Sequence, residues 1–303
     1  MKPIHPNRYK VEHEGHLHRV RRGWLGAFHW ENFDFLNPTV EFLVKAVGLF
    51  PRGYRNATDI QLEQIHLELP RLPQAFNGFR LLWISDLHIE QFGHLPQKVL
   101  DMIGPLQYDL CVFGGDSCFG HQFSEKACRL TERIAVELVK KSPVLGILGN
   151  HDFYPIAQML DSVGVRVLLN ENVALERGGQ KLWFAGVEDC HYFCADDLNE
   201  AIQGIPENGC KILLSHSPEI YEQAAGANCD VCLSGHTHGG QICLPGGISL
   251  ISSASVPRPM RKGLWRHKNM PGYTCRGAAA SGAAVRFNCR PEITLFTLAR
   301  QGL

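Results

Sequence analysis

Between residues 59 and 69 (DIQLEQIHLEL) apolar and polar side chains alternate, the period of a half-buried strand. Pro70 and Pro73 punctuate its end. From residue 80 the pattern changes. Leu81, Leu82, Trp83 and Ile84 form an unbroken apolar run up to Ser85, and 108–113 and 144–148 repeat it. Between these runs, 98–103 and 125–141 carry apolar residues at helical spacing. Continuous apolar strands alternating with helices predict βαβ units and a sheet covered on both faces. Further along the spacing becomes hairpin-like, with strands 172–176 and 181–187 flanking the turn signal Arg177-Gly178-Gly179-Gln180. Strands at 211–214 and 230–233 come next, around a helix near 218–225. The tail reads as two closing strands, 284–288 and 292–298, around Cys289-Arg290-Pro291. No internal repeat or low-complexity segment interrupts the chain.

Residues 1–78 differ from the rest of the chain. His5, His13, His16, His18, Arg19, Arg21 and Arg22 make the start basic and imidazole-rich, and Trp24, Phe28, Trp30, Phe33 and Phe35 make the next stretch aromatic. Pro38 then opens a segment, 39–50, in which Val40, Leu43, Val44, Val47 and Phe50 fall at helical spacing. This amphipathic helix has two readings: packed on the main domain, or lying on a membrane surface between basic and aromatic flanks. The first ten residues lack the apolar core of a signal peptide. Glu31, Asn32 and Asp34 interrupt the apolar stretch after Arg21-Arg22 too soon for a twin-arginine signal. No run approaches the ~20 apolar residues of a spanning helix.

With 303 residues, 45% of them hydrophobic, the chain can bury one large core. Its 30 basic and 30 acidic side chains balance, which argues against a nucleic-acid partner. Eleven scattered cysteines, several inside apolar runs, read as reduced thiols of a cytoplasmic protein, and Cys-x-x-Cys pairing of the zinc-ribbon kind is not expected among them.

The chemistry gathers where the strand-like runs stop. They end in Asp86-Leu87-His88, Gly114-Gly115-Asp116, Gly149-Asn150-His151-Asp152, Ser215-His216 and Gly235-His236-Thr237-His238. Each motif alone is an ordinary turn, helix cap or buried histidine. In open α/β sheets, however, ligands bind outside the carboxyl ends of strands, so these loops can share one crevice. Their donors are all oxygen or imidazole nitrogen, which suits Mn, Fe, Zn, Ni or Mg better than thiolate-preferring metals. Two metals ~3.5–4 Å apart need a bridging carboxylate, and Asp116 after its two glycines is placed to bridge.

The ordered series resembles the calcineurin-like metallophosphoesterase superfamily over residues 80–299. The form LSGHTHGGQI at 233–242, with RFNCRPEITLFTL at 286–298, is similar to its bacterial phosphodiesterase branch, which includes enzymes cleaving the pyrophosphate of UDP-2,3-diacylglucosamine in lipid A synthesis. The resemblance implies a four-layer α-β-β-α sandwich of two mixed sheets with helices outside, spanning 79–303, with 1–78 as an extension carrying the amphipathic helix and a strand. It implies one metal on Asp86, His88, Asp116 and His238 and another on Asp116, Asn150, His216 and His236, with Mn the first choice. A metal-bridging hydroxide would attack phosphorus, and His151 would give a proton or hydrogen bond to the phosphoryl or leaving-group oxygen. One departure stands out. Where many relatives carry an aspartate that orients this histidine, the chain has Phe119, so Asp152 or a backbone carbonyl must orient His151.

A basic segment, 258–268 (RPMRKGLWRHK), offers Arg258, Arg261 and Trp265 to a phosphate-rich or lipid substrate or an anionic membrane, or is a solvated loop; Arg286 is a further phosphate-binding candidate. The expected activity is hydrolysis of a phosphodiester or pyrophosphate, with UDP-2,3-diacylglucosamine as one substrate. The alternatives are a general small-molecule phosphodiesterase or phosphatase and a non-catalytic, membrane-associated scaffold. A cytoplasmic location is expected, at the inner face of the cell membrane if the amphipathic helix binds lipid.

Overall fold

The computed structural model describes residues 2–14, 36–120, 122–249 and 252–302. The stretch from His16 to Phe35 lies outside the described residues, and with it the twin-arginine question. In chain order the helices are α1 (Pro6–Glu14), α2 (Leu36–Ala46), α3 (Phe50–Thr58), α4 (Leu95–Ile103), α5 (Glu125–Val139), α6 (Tyr154–Ser162), α7 (Leu198–Ala201) and α8 (Tyr221–Gly226). The strands are β1 (Gln61–Leu69), β2 (Phe79–Ile84), β3 (Leu110–Phe113), β4 (Val144–Gly146), β5 (Arg166–Val167), β6 (Glu171–Arg177) and β7 (Gln180–Gly186). They continue with β8 (Lys211–Leu214), β9 (Val231–Ser234), β10 (Cys243–Leu244), β11 (Ile248–Ser249), β12 (Gly263–His267), β13 (Met270–Thr274) and β14 (Glu292–Arg300).

Two six-stranded sheets run in the orders β1-β14-β2-β3-β4-β5 and β12-β13-β9-β8-β7-β6. Both are mixed. In the first, β2 to β5 are parallel and β14 runs against β2. In the second, β7, β8, β9 and β13 are parallel and β6 and β12 close the edges as antiparallel hairpins. The short β10–β11 pair stands apart.

The two-residue period of each strand sorts its side chains between layers. Phe79, Leu81 and Trp83 of β2, Phe296 and Leu298 of β14, Leu182 and Phe184 of β7, and Ile212 and Leu214 of β8 meet between the sheets. The alternate residues Leu82, Ile84, Cys111, Phe113 and Leu295 face outward beneath α4, α5 and α6. Leu213 and Cys232 face the other way, beneath α7 and α8. A sheet buried on both faces explains why its strands read as unbroken apolar runs. The result is the expected four-layer α-β-β-α sandwich.

Local differences have local causes. The helix expected over 39–50 is two helices. Gly48 takes a left-handed φ of 72°, the amides of Gly48 and Leu49 close onto Lys45 and Val44, and Pro51 starts the next helix. The polar α1 has no apolar stripe and gave no periodic signal. Residues 284–288 are not a strand: only Phe287 forms a bridge, to Ile242, and Asn288 turns left-handed at φ 52°. The segment 258–268 is not a solvated loop. A short turn at Arg258–Arg261 leads into β12, where Trp265 is buried over Gly272 with its Nε1 donating to Thr274 Oγ1 at 2.8 Å. Cys229 and Cys232 do stand in a Cys-x-x-Cys spacing, against the expectation that the chain holds no such pair. Both are buried free thiols, pushed up to about 12 by burial, at the start of β9.

Phe184 is fully buried between the sheets, with its ring centroid 6.4 Å from that of Phe79. Phe184→Ala is expected to cost about 3–5 kcal/mol, read as a lower urea midpoint with an unchanged slope.

Candidate metal centre

Five strands of the parallel regions, β2, β3, β4, β8 and β9, end on the same side of the sandwich, and the loops after them converge. The backbone there is bent sharply. Asp86, His88, Asp116, His236 and His238 take φ values of 53°, 36°, 57°, 68° and 49°. Such conformations cost of order 1–3 kcal/mol each outside glycine, and here the neighbouring loops hold them. Asp86 N donates to Gly115 O at 2.9 Å, His88 N to Asp116 O at 3.2 Å and Gly235 N to His216 O at 2.9 Å. Gly149 is obligatory for a separate reason: a Cβ there would collide with Asp116 Oδ1 and its amide.

The side chains then form two groups, Asp86, His88 and His238 in one and Asp116, His216 and His236 in the other, with the donor atoms of each within 4.8 Å. His238 Nε2 lies 3.4 Å from Asp86 Oδ1 and 3.2 Å from His88 Nε2. His216 Nε2 lies 3.0 Å from Asp116 Oδ2, and His88 Nε2 lies 3.8 Å from the same oxygen. Asp116 therefore sits between the groups. Asn150 joins the second group, its Oδ1 2.8 Å from His236 Nδ1, while its buried Nδ2 has no hydrogen-bond partner.

Backbone carbonyls turn two of the rings. Nδ1 of His88 faces Cys118 O at 2.6 Å and that of His216 faces Gly114 O at 2.8 Å, while Nδ1 of His238 lies between Ala279 O at 3.1 Å and Arg286 Nη2 at 3.0 Å. An Nδ1–H donating to a carbonyl leaves Nε2 as the inward lone pair, the tautomer a metal requires. Amides likewise orient the carboxylates: His236 N donates to Asp86 Oδ1 at 3.0 Å and His151 N to Asp116 Oδ1 at 2.9 Å.

The buried groups shift one another's titration strongly. Burial pushes the Asp86 carboxyl up to about 6. It pushes Asp116 up as well, but His216, His151 and His88 outweigh it and hold Asp116 well below the usual range. Burial would lower His216, but Asp116 and Asp86 raise it to about 10. His88, by contrast, is taken down to about 3 by burial. Two buried carboxylates facing imidazole nitrogens and an amide oxygen are a fitting donor set for hard or borderline divalent ions once His216 gives up its proton.

His151 stands beside the first group, its ring 5.2 Å from that of His88. Its Nδ1 lies 2.8 Å from Gly120 O, so a backbone carbonyl supplies the orientation. Asp152 is committed elsewhere: its carboxylate accepts from the amides of Asp116, Ser117, Cys118 and Gly149 at 2.7–3.3 Å, tying two of the loops together. Phe119 packs edge-on to His88 at 6.1 Å.

Two of the expected substrate contacts do not line the centre. Arg286 is fully buried and donates to the carbonyls of His238, Arg276 and Ala279, so it braces the His238 loop. Trp265 belongs to the outer core. Arg258 is exposed, and Arg261 is half-buried beside the loop, where its carbonyl accepts from Thr237 Oγ1 at 2.5 Å. A further imidazole went unnoticed in the sequence. His191 lies 4.2 Å from the His236 ring, and its Nδ1 is 2.8 Å from Glu219 Oε2. It comes after β7, so the strand-end rule that found the others also covers it.

Asp152→Ala would leave four buried amides without their acceptor. A loss of at least ~3 kcal/mol is expected, measured by urea unfolding of the metal-free chain.

The sequence profile of calcineurin-like phosphoesterases matches residues 79–240. The metallophosphoesterase YkoQ of Bacillus subtilis is 28% identical over 84% of this chain and 94% of its own length. The phosphodiesterase YaeI of Escherichia coli is 27% identical over 73% of this chain and 82% of its own. A transmembrane protein with metallophosphoesterase domain from Danio rerio is 29% identical over 86% of this chain, which spans 62% of that protein. A profile match over more than half of the chain, together with paired Asp/His groups at its strand ends, shows that the chain belongs to the calcineurin-like phosphoesterase family and is a metal-dependent phosphoester hydrolase.

Proposed function

We propose that the chain hydrolyses a phosphodiester or pyrophosphate bond with two divalent ions, Mn being the first candidate. The observation that carries this reading is the position of Asp116 between two buried donor groups. Asp86, His88, Asp116 and His238 would hold one ion, and Asp116, Asn150, His216 and His236 the other. When bound, the pair supplies Lewis acidity and lowers the pKa of water. The protein's own work is orientation and proton transfer. The carbonyls behind His88 and His216 keep their Nε2 atoms aimed inward, and Ala279 O and Arg286 together fix the His238 ring. Gly120 O holds Nδ1–H of His151, so that Nε2–H of the imidazolium form would give the proton to the leaving-group oxygen, leaving the neutral Nδ1–H ring behind.

For the substrate, the exposed face of α2 supports a lipid-linked compound. Phe42 and Leu43 are exposed there beside Lys45, Val47 and Leu49 are exposed in the turn that follows, and Val40 and Val44 are half-buried. No described helix is long and apolar enough to cross a membrane, and an amphipathic surface of this kind suits peripheral contact with anionic lipid. All eleven cysteines are free, which supports a reducing, cytoplasmic location at the inner face of the membrane. UDP-2,3-diacylglucosamine is thus one substrate to include in a panel with simpler diesters and monoesters.

Turnover of bis(p-nitrophenyl) phosphate with added Mn, abolished by EDTA, is the expected result; inactivity with every divalent ion would refute the enzyme reading. His236→Ala is expected to lower bound metal from about two ions to about one per chain, measured by elemental analysis. His151→Ala is expected to keep both ions and lose roughly 10²–10⁴-fold in kcat. His216 must shed its proton to ligate, and its pKa is raised to about 10, so the proton is present at neutral pH. Mn affinity should therefore rise between pH ~6 and ~8, read by calorimetric titration.

A further inference from the structure

The first described helix, α1, is almost wholly polar (PNRYKVEHE), yet it is fixed to the loops of the metal centre. Arg8 is fully buried although it lies in a terminal segment. Its Nε donates to Glu188 Oε2 at 2.9 Å, its Nη1 to Asp152 O at 2.6 Å, and its guanidinium lies 3.9 Å over the Phe193 ring. Glu12, one turn on, accepts from Tyr154 N at 2.9 Å and faces Arg8 at 3.5 Å. Lys2 reaches Asn170 O and Tyr154 Oη reaches Lys2 O, both at 2.8 Å. Removing one partner of a buried ion pair strands the other charge without compensation, so α1 is held in one place by charge rather than by an apolar stripe.

That fixation gives the next face of the helix a definite position. Tyr9 and His13, four residues apart, stack at 4.1 Å. Between them and the start of α6 lies a cleft of about 620 Å³, lined by the rings of Tyr9, His13, Phe123, Phe153 and Tyr154 together with polar side chains that include Glu12, Gln122 and Gln158. Tyr9 is 52% and Phe123 44% exposed, so two large rings face solvent there. The cleft adjoins the His151 loop on both sides. Phe153 lies two residues beyond His151, and Phe123 lies three beyond Gly120, whose carbonyl holds the His151 ring.

We propose that α1 forms one wall of the substrate cleft and that Tyr9 and Phe123 select a substrate whose leaving group carries a planar aromatic or heteroaromatic ring. The inference rests on the diesterase reading, in which His151 serves the leaving-group oxygen, because the cleft borders the segments on either side of that ring, at Phe123 and at Phe153 and Tyr154. Stacked aromatic walls favour flat rings, and the glutamine amides suit a ring with polar edges. Glu12, which lines the cleft, is paired with Arg8 and the Tyr154 amide, which offsets its charge toward a phosphate ester.

The test compares diphenyl phosphate with dimethyl phosphate on the Mn-loaded full chain, by calorimetric binding and by inhibition of bis(p-nitrophenyl) phosphate turnover. Wild type is expected to bind the ring-bearing diester at least about ten-fold more tightly. Tyr9→Ala and Phe123→Ala should each lose most of that preference, leave dimethyl phosphate unchanged, and raise KM for bis(p-nitrophenyl) phosphate more than they lower kcat. Tyr9→Phe should restore it. Both side chains are exposed, so thermal melts should stay unchanged. Equal binding of the two diesters by wild type, or variants that keep the preference, would overturn the proposal. Failure of the diesterase reading would show separately, as absent turnover by wild type whatever the binding result.

Discussion

Asp86 and Asp116 are both fully buried at the ends of adjacent parallel strands. An unpaired carboxylate cannot stay ionised in such a place without partners, because its lost hydration is worth several kcal/mol. The surrounding structure is arranged around that constraint. Ser85 Oγ and His236 N donate to Asp86, and His151 N and His216 attend Asp116. Left-handed backbone at Asp86, His88, Asp116, His236 and His238 is tolerated because it brings every donor to one point. The sandwich supplies rigid strand ends, and the loops convert those ends into a site that needs positive charge.

Support for the site continues outward through backbone groups. Asp152 gathers four amides from two loops, and Arg286 gathers three carbonyls around the His238 loop. Both residues look like substrate or proton groups in a sequence, since a buried aspartate and a buried arginine have the same letters as exposed ones. Their structural work is to satisfy polar backbone that strained loops leave unpaired. In the same way, Gly120 O takes the orienting role that a side chain at Phe119 cannot fill.

This division decides which features a sequence shows and which it hides. Strands β2, β3 and β8 are buried on both faces, so continuous apolar runs disclose them nearly to the residue. The donors at their ends are legible because strand-end loops are where an α/β sheet places ligands. Strand β12 was hidden because, along it, Leu264 and Arg266 are exposed and Trp265 alone is buried. Helix α1 was hidden because what fixes it is a pairing between Arg8 and Glu188, 180 positions apart, which no local period can reveal. The break at Gly48 needed only one left-handed residue inside an otherwise regular helical pattern. His191 was hidden because a lone histidine after a strand carries little weight until it is seen against His236.

The central claim is that loops distant in sequence hold two cations side by side across Asp116. Electron paramagnetic resonance of the chain titrated with Mn tests it most directly, because two ions ~3.5–4 Å apart couple magnetically. The account predicts that the second equivalent replaces the isolated-ion signal with the spectrum of an exchange-coupled pair, and that Asp116→Asn weakens the coupling. A signal that keeps the isolated-ion form at saturation would contradict it.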